Sequence, residues 1–364
     1  MKIFFFAPRY HTNQIEIVRI LKNKGHDITF CVINKGLTED YSLLSPIVLK
    51  PSFVFSLIFK LIKKLNNSEF KKKYLIPSVW QIVSLFKKNK PDIIIIRNPY
   101  YIPSIFMLIL AKIFSIKIIL YTQWKYYKKY IGNKEKFLEY LNIIFNCKSF
   151  TPVQGNIYDN FTLINDHFIP FPISIKKKSN KNKLNKKFKN ILCIGKFESR
   201  KNHILLIKAI KSLKNKIGFL TIVGEVTSEQ HKINYFETIS MVNTLGLENK
   251  VMIFKNIPYC NINRFYEIND IFILPSENEP FSISVLEALS YGLPVICSDT
   301  CGSQWYIEDG NNGYIFKTND LNDLIKKIEL SIENYEKLSK NSLIIAREKY
   351  NAEIFYKNFS KLIY

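Results

Sequence analysis

The chain has 364 residues, enough for two α/β domains of ~150–200 residues each and too many for one ordinary core. Apolar residues make up 47% and aromatics 14%, which excludes a disordered chain. The net charge of +23 is uneven: residues 1–172 hold 25 Lys+Arg against 10 Asp+Glu, residues 173–190 hold eight lysines and no acid, and residues 191–364 hold 20 against 20. A basic half that faces an anionic surface or substrate is therefore expected beside a neutral half.

In chain order, Lys2 to Ala7 is an apolar run of strand length. Asn13 to Lys24 carries Ile15, Val18, Ile20 and Leu21 at helical spacing, Gly25-His26-Asp27 closes that helix, and Ile28 to Ile33 reads as a second strand. The five apolar residues before Pro8 are too few for a signal peptide, so export is not expected and the cytoplasm is the expected location. Two basic amphipathic segments follow: Val54 to Leu65 bordered by Lys60, Lys63 and Lys64, and Trp80, Val83 and Phe86 before Lys87 and Lys88. Such segments suit the surface of an anionic membrane as a peripheral contact, and equally suit core-facing helices with solvated lysines.

Asp92 to Ile96 is a continuous apolar run of the kind a parallel strand buried on both faces requires. Helix 103–115 and strand Lys117 to Thr122 come next; Lys112 and Lys117 interrupt this longest apolar stretch, which argues against a membrane span. Ser174 to Asn190 has one sign of charge and almost no apolar content, so residues 173–190 read as a basic linker between a domain over 1–172 and a domain over 191–349. A helix at about 350–364 is expected to pack back on the first domain.

After the linker the pattern restarts. Strands are expected at Ile191 to Ile194, Gly218 to Val223, Val251 to Phe254, Ile271 to Leu274 and Pro294 to Cys297. Helices are expected between them at Ile204 to Leu213, Gln230 to Leu245, Ile262 to Tyr266 and Ile283 to Ser290. Helices alternating with apolar strands predict an α/β fold of two doubly wound, Rossmann-like domains facing a cleft. The six cysteines form no C-x-x-C pair, so neither zinc nor a disulfide framework is indicated and buried reduced thiols are expected.

The most specific segment runs from Pro275 to Asp299. Glu279 lies in the loop after the strand ending at Leu274, and Glu287 lies on the first turns of the next helix, whose start near Ser282 offers unpaired N–H groups and a positive dipole end to a diphosphate. Glu287 can accept two hydrogen bonds from a ribose diol and Glu279 can hold sugar hydroxyls. Read alone, both are first-turn carboxylates worth ~0.3–1 kcal/mol each to their own helix.

Pro275, Ser276, Glu279, Phe281, Glu287, Ala288, Gly292, Pro294 and Val295 together resemble the signature of the retaining glycosyltransferase family-four group, with the GT-B fold. Gly195-Lys196-Phe197-Glu198-Ser199-Arg200-Lys201 resembles that family's Gly-Arg…Lys element, with Lys196 in place of the usual arginine. The resemblance implies a hexosyl donor held as a nucleotide-diphosphate sugar, with Lys196, Lys201, Glu279 and Gln123 as the catalytic set. It further implies Gly195, Phe281, Ser282, Ile283 and Glu287 around the donor, and base contacts near Gly224, Asn256 and Ile257.

The likeness is strong over about 190–320 and faint over 1–172. The usual Gly-Gly loop is replaced around Arg9, Tyr10 and His11, the expected acceptor-side residues, and a frequent histidine is replaced by Gln123, which can donate a hydrogen bond but cannot carry a proton.

No D-x-D and no cluster at metal-ligand spacing occurs, so no metal and no other cofactor is expected. The expected partners are a nucleotide sugar and a saccharide or lipid-linked acceptor in cell-surface polysaccharide or glycolipid synthesis. A catalytically silent partner subunit, a nucleotide-sugar epimerase and, less favoured, a basic nucleic-acid-binding protein remain open; the lysines carry no base-stacking motif, so nucleic acid is not an expected partner.

Overall fold

The computed structural model describes residues 1–36, 39–62, 68–175 and 188–364. The chain divides into two units, Met1–Pro172 with Ala352–Tyr364, and Ile173–Asn351. Most of the expected linker, residues 176–187, lies outside the described residues, as do Lys63 and Lys64.

In the first unit, β1 (Lys2–Arg9), α1 (Thr12–Asn23), β2 (Asp27–Asn34) and β3 (Ile47–Val48) are followed by α2 (Phe53–Leu61), α3 (Ser68–Tyr74) and α4 (Val79–Asn89). Then come β4 (Ile93–Arg97), α5 (Ile102–Ile113), β5 (Lys117–Tyr121), α6 (Asn133–Ile144), β6 (Lys148–Thr151) and β7 (Asp166–Phe168). The sheet order is β3-β2-β1-β4-β5-β6-β7, with every pair parallel, so the winding reverses between β1 and β4. Alternate residues of these apolar strands feed opposite layers, because successive side chains of a strand point to opposite faces. Phe4, Phe6, Ile94, Ile96, Ile118 and Leu120 pack beneath the helices that carry Phe59, Ile82, Phe86 and Met107. Phe5 instead stacks on Phe30 with ring centroids 4.6 Å apart. The last helix of the chain, α13 (Ala352–Ile363), belongs to this unit: Phe359 meets Phe150 edge-on at 5.7 Å, and His26 Nε2 lies 3.0 Å from the Tyr356 hydroxyl.

The second unit runs β8 (Lys189–Ile194), α7 (His203–Leu213), β9 (Ile217–Gly224), α8 (Glu229–Thr244), β10 (Val251–Lys255), α9 (Asn263–Ile268), β11 (Ile271–Leu274) and α10 (Ile283–Ser290). It ends with β12 (Val295–Ser298), β13 (Gly313–Phe316), α11 (Leu321–Glu333) and α12 (Tyr335–Lys349). Its strands are all parallel in the order β10-β9-β8-β11-β12-β13, so this sheet reverses between β8 and β11. The core is aliphatic, with Ile191, Ile222, Ile271, Ile273 and Ile296 between helices that contribute Leu206, Ile210, Leu324 and Ile328. Burying each such side chain fully is worth ~1.5–3 kcal/mol. Both sheets have the doubly wound parallel topology expected from the alternation of helices with apolar strands. Five cysteines are buried; Cys260 is exposed, contrary to expectation, because it sits in a short surface turn after β10.

Candidate functional site

In an open α/β sheet, ligands bind outside the carboxyl ends of the strands where the winding reverses. In the second unit that point lies between β8 and β11, and the loops leaving these two strands carry the charged residues of interest. The β8 loop turns at Gly195, where a Cβ would come within 3.2 Å of Lys201 Cδ, so the lysine stem lies across the glycine. Ser199–Lys201 form a single 3-10 turn, ended by Asn202 in the left-handed region. This turn delivers Lys201, itself buried, to Glu279 from the β11 loop, and Lys201 Nζ and Arg200 Nη1 both donate to Glu279 Oε2. Arg200 Nη2 also pairs with Glu198 at 2.7 Å.

Main-chain bonds hold the β11 loop on both sides: Glu277 N–H donates to the Arg200 carbonyl of the β8 loop, and Gly302 N–H, in the turn after β12, donates to the Glu279 carbonyl, both at 2.7 Å. Burial pushes the Glu279 carboxyl up, but the Lys201 and Arg200 cations outweigh it and hold the group below the usual glutamate range. Lys201 and Glu279 are thus withdrawn from water at the rim of the sheet while Arg200 stays partly exposed, an arrangement that costs desolvation and is tolerated because each buried charge has a partner. Arg200 is a member that sequence reasoning missed, since a second cation beside Lys201 reads as ordinary surface until the turn aims it inward.

The helix α10 begins beside this cluster, because Ser284 Oγ reaches the Ile194 carbonyl at the end of β8, 3.5 Å away. Ser282 stands at its N-cap, yet its side chain caps no backbone N–H; its hydroxyl lies 2.7 Å from Ser284 Oγ instead. The Ser282 N–H and carbonyl are engaged by Ser303 Oγ at 2.8 and 3.0 Å, which holds the helix start in place. Phe281 is buried edge-on against Tyr306 at 5.7 Å, and Ile283 is half-buried in the first turn.

One turn on, Glu287 accepts from Tyr259 at 2.5 Å and from Tyr266 at 2.7 Å, one tyrosine on each carboxylate oxygen. Burial and the neighbouring carboxylate drive the Tyr266 hydroxyl well above its ordinary pKa, so it remains a donor. The two tyrosines went unseen in the sequence because they come from outside the motif.

Lys196 is not part of the Glu279 cluster: it reaches Glu225 at 3.4 Å and is partly exposed. Gly224 ends β9 where a Cβ would meet the Phe197 ring at 2.4 Å and the Gly195 carbonyl at 2.6 Å, so only glycine fits. Asn256 takes a left-handed conformation after β10, its N–H bonded to the Gly224 carbonyl at 2.9 Å. Its side-chain amide is committed to both main-chain groups of Val226, which leaves the backbone of Asn256 and Ile257 as the polar surface there.

In the first unit, Gln123 follows β5, accepts from Arg97 Nη2 at 3.2 Å and donates to the Tyr121 hydroxyl at 3.1 Å. The expected acceptor-side triplet needs correction. Tyr10 is 0% exposed and lies edge-on to Phe30 at 4.7 Å, so it is a core residue with no surface to offer a ligand. Arg9 is buried in a pair with Glu39, and the His11 N–H donates to Gln14 Oε1 at 2.8 Å where α1 starts. Among the described residues, no group of three or more His, Cys, Asp or Glu side chains is placed to hold a metal ion, and no helix is long and apolar enough to cross a membrane.

Residues 174–346 match the family described as Glycosyl transferases group 1. The chain is 32% identical over 163 residues to an uncharacterized glycosyltransferase of Haemophilus influenzae, covering 43% of each chain. It is 29% identical over 157 residues to the N-acetylgalactosamine-N,N'-diacetylbacillosaminyl-diphospho-undecaprenol 4-alpha-N-acetylgalactosaminyltransferase of Campylobacter jejuni, covering 42% of this chain and 40% of that one. The matched part thus spans about two fifths of the length of these curated relatives. Solved structures show the same fold over the whole chain. A glycosyltransferase from Rickettsia africae superposes with a TM-score of 0.75 at 19% identity, covering 100% of this chain and 97% of that one. Anabaena HepE in complex with UDP and glucose superposes with a TM-score of 0.72 at 16% identity, covering 99% and 98%.

Proposed function

From the membership of residues 174–346 in glycosyl transferases group 1, and from the GT-B fold of the chain, we propose that the protein is a retaining glycosyltransferase. It moves a sugar from a nucleotide-diphosphate sugar to a saccharide or lipid-linked acceptor in cell-surface polysaccharide or glycolipid synthesis. The observation that carries this reading is the Lys201–Arg200–Glu279 cluster at the reversal point of the second sheet, next to the uncapped start of α10. Cations preorganised at that point stabilise the departing nucleoside diphosphate as the glycosidic bond breaks, without a catalytic metal. The leaving phosphate takes the acceptor's proton, and Glu287, steadied by Tyr259 and Tyr266, holds the ribose diol. The named substrate of the Campylobacter jejuni relative, a diphospho-undecaprenol glycan, supports a lipid-linked acceptor.

The same reading places the enzyme in the cytoplasm, at the inner face of a membrane. In the first unit Phe53, Leu61 and Trp80 are 79%, 84% and 86% exposed, on helices α2 and α4 whose starts are joined by a bridge between Pro51 and Pro77. Residues 51–90 hold nine lysines and one glutamate. Exposed apolar side chains in a segment of one sign of charge fit an anionic lipid headgroup layer.

A thermal-shift screen of nucleoside diphosphates and nucleotide sugars on the full chain tests the transferase reading. One of them is expected to raise Tm, and Lys201→Ala and Glu287→Ala are each expected to lower turnover of that donor ~10²–10³-fold. Near-normal turnover by both variants would sink the assignment.

A further inference from the structure

The first sheet has a reversal point of its own, between β1 and β4, and Arg97 closes β4 there. Arg97 is 7% exposed, and among the described residues no carboxylate pairs with it. Its recorded neighbours are all neutral: Nη1 reaches Asn13 Oδ1 at 3.5 Å, Nη2 donates to Gln123 Oε1 at 3.2 Å, and the guanidinium lies 5.5 Å from the centre of the Tyr121 ring. Its Nε has no hydrogen-bond partner. A guanidinium cannot shed its proton to escape burial, so a buried arginine without a counter-ion is a standing cost to the fold. Two adjoining positions repeat the pattern, since Gln14 Nε2, next to Asn13, and Thr122 Oγ1, next to Gln123, are also buried without partners. Beside them Tyr100 and Trp124 stack at 5.5 Å and 15°, both half-buried, which leaves aromatic surface at the same carboxyl edge.

We propose that Arg97 is the centre of an anion-binding site in the first unit, which takes a phosphoryl or carboxylate group carried by the acceptor and seats the attached sugar against Tyr100 and Trp124. The planar fork of arginine, with Nε and an Nη side by side, matches two oxygens of either group. Calling the ligand the acceptor rests on the transferase reading; the anion site itself does not.

Isothermal titration of the full chain with inorganic pyrophosphate and, separately, with glucuronate tests the site, using Lys201→Ala as the parent to weaken anion binding at the second unit, so that the Arg97 variants report the first unit's share. The parent is expected to bind at least one probe at a single site; binding of pyrophosphate alone identifies a phosphoryl group, and binding of glucuronate alone a carboxylate. Adding Arg97→Gln is expected to weaken that binding more than about tenfold, and adding Arg97→Lys, which keeps the charge and the fold but loses the fork, about three- to tenfold. No binding of either probe by the parent, or equal binding by parent and Arg97→Lys, would overturn the proposal even if Arg97→Gln does not fold. Should Lys201→Ala retain full affinity for the nucleotide sugar, the donor assignment fails while the Arg97 result stands.

Discussion

Glu279, Lys201 and His203 lie within one small volume, and their neighbours set opposite charge states. The carboxylate stays ionised because two cations share one of its oxygens. His203 is fully enclosed against Phe197, with ring centroids 5.1 Å apart, and burial together with the Lys201 charge lowers its pKa to about 3. Its unfolded pKa is ~6.5, so between about pH 3 and 6.5 the unfolded chain binds a proton that the folded chain refuses, and stability rises with pH. The Glu279 contribution, from a depressed carboxyl, is lost only below the ordinary glutamate range of ~4.3. Urea denaturation between pH 7 and 5 therefore isolates histidine: stability is expected to fall by up to ~1.4 kcal/mol per pH unit below 6.5 from this group, and His203→Leu is expected to remove that share of the slope. An unchanged slope in the variant would show that His203 is not the source. Lys201, Glu279 and Glu287 stood out in the sequence through the family resemblance of their two motifs, since residue type alone reads them as ordinary surface and first-turn charges. Arg200, Tyr259 and Tyr266 did not, because each acquires its role from a partner 21 to 79 residues away.

The elements that hold this volume together are two loops and the start of one helix. Gly302 lies so close to the Glu279 loop that a Cβ would stand 1.8 Å from the Pro280 carbonyl oxygen. Gly302→Ala must therefore push the loop away, with an overpacking cost of ~1–3 kcal/mol. A lower Tm together with weaker nucleotide binding is the expected result; a lower Tm with unaltered binding would show that the loop position does not matter to the donor. At this scale the strands β1, β2, β4, β5, β8, β9, β10, β11 and β12 were readable because buried parallel strands are short, unbroken and apolar. β3, β6, β7 and β13 were not, since β3 and β7 have only two and three residues and β6 (KSFT) and β13 (GYIF) lack an unbroken apolar run, and the structure places them by pairing with a neighbouring strand.

For the whole molecule, the excess charge belongs to the first unit and the part of the chain leaving it, and residues 51–90, which include α2 and α4 with their exposed Phe53, Leu61 and Trp80, hold nine of those lysines against one glutamate. Trp80 and Phe53 are almost wholly solvent-facing, so replacing them with aspartate leaves the core untouched. The double variant Phe53→Asp, Trp80→Asp is expected to lose pelleting with anionic liposomes at low salt and to keep its Tm, and 0.5 M salt is expected to weaken the parent's binding by screening its lysines. Equal pelleting with neutral and anionic vesicles would remove the membrane from the account.

Hydrophobic patterning by itself determined that the chain makes two parallel α/β sheets, because burial on both faces of a strand and on one face of a helix leaves a periodic record in the residues. It placed Lys201 and Glu279 in loops that leave the carboxyl ends of two strands, and the structure joins them in one ion pair. Only the tertiary structure decided that Tyr10 is core while Trp80 is surface, that Arg200 joins Lys201 on one carboxylate oxygen, and that Arg97 is buried with no counter-charge among the described residues. Burial and charge pairing are properties of neighbours in space, and a linear sequence records neighbours only along the chain.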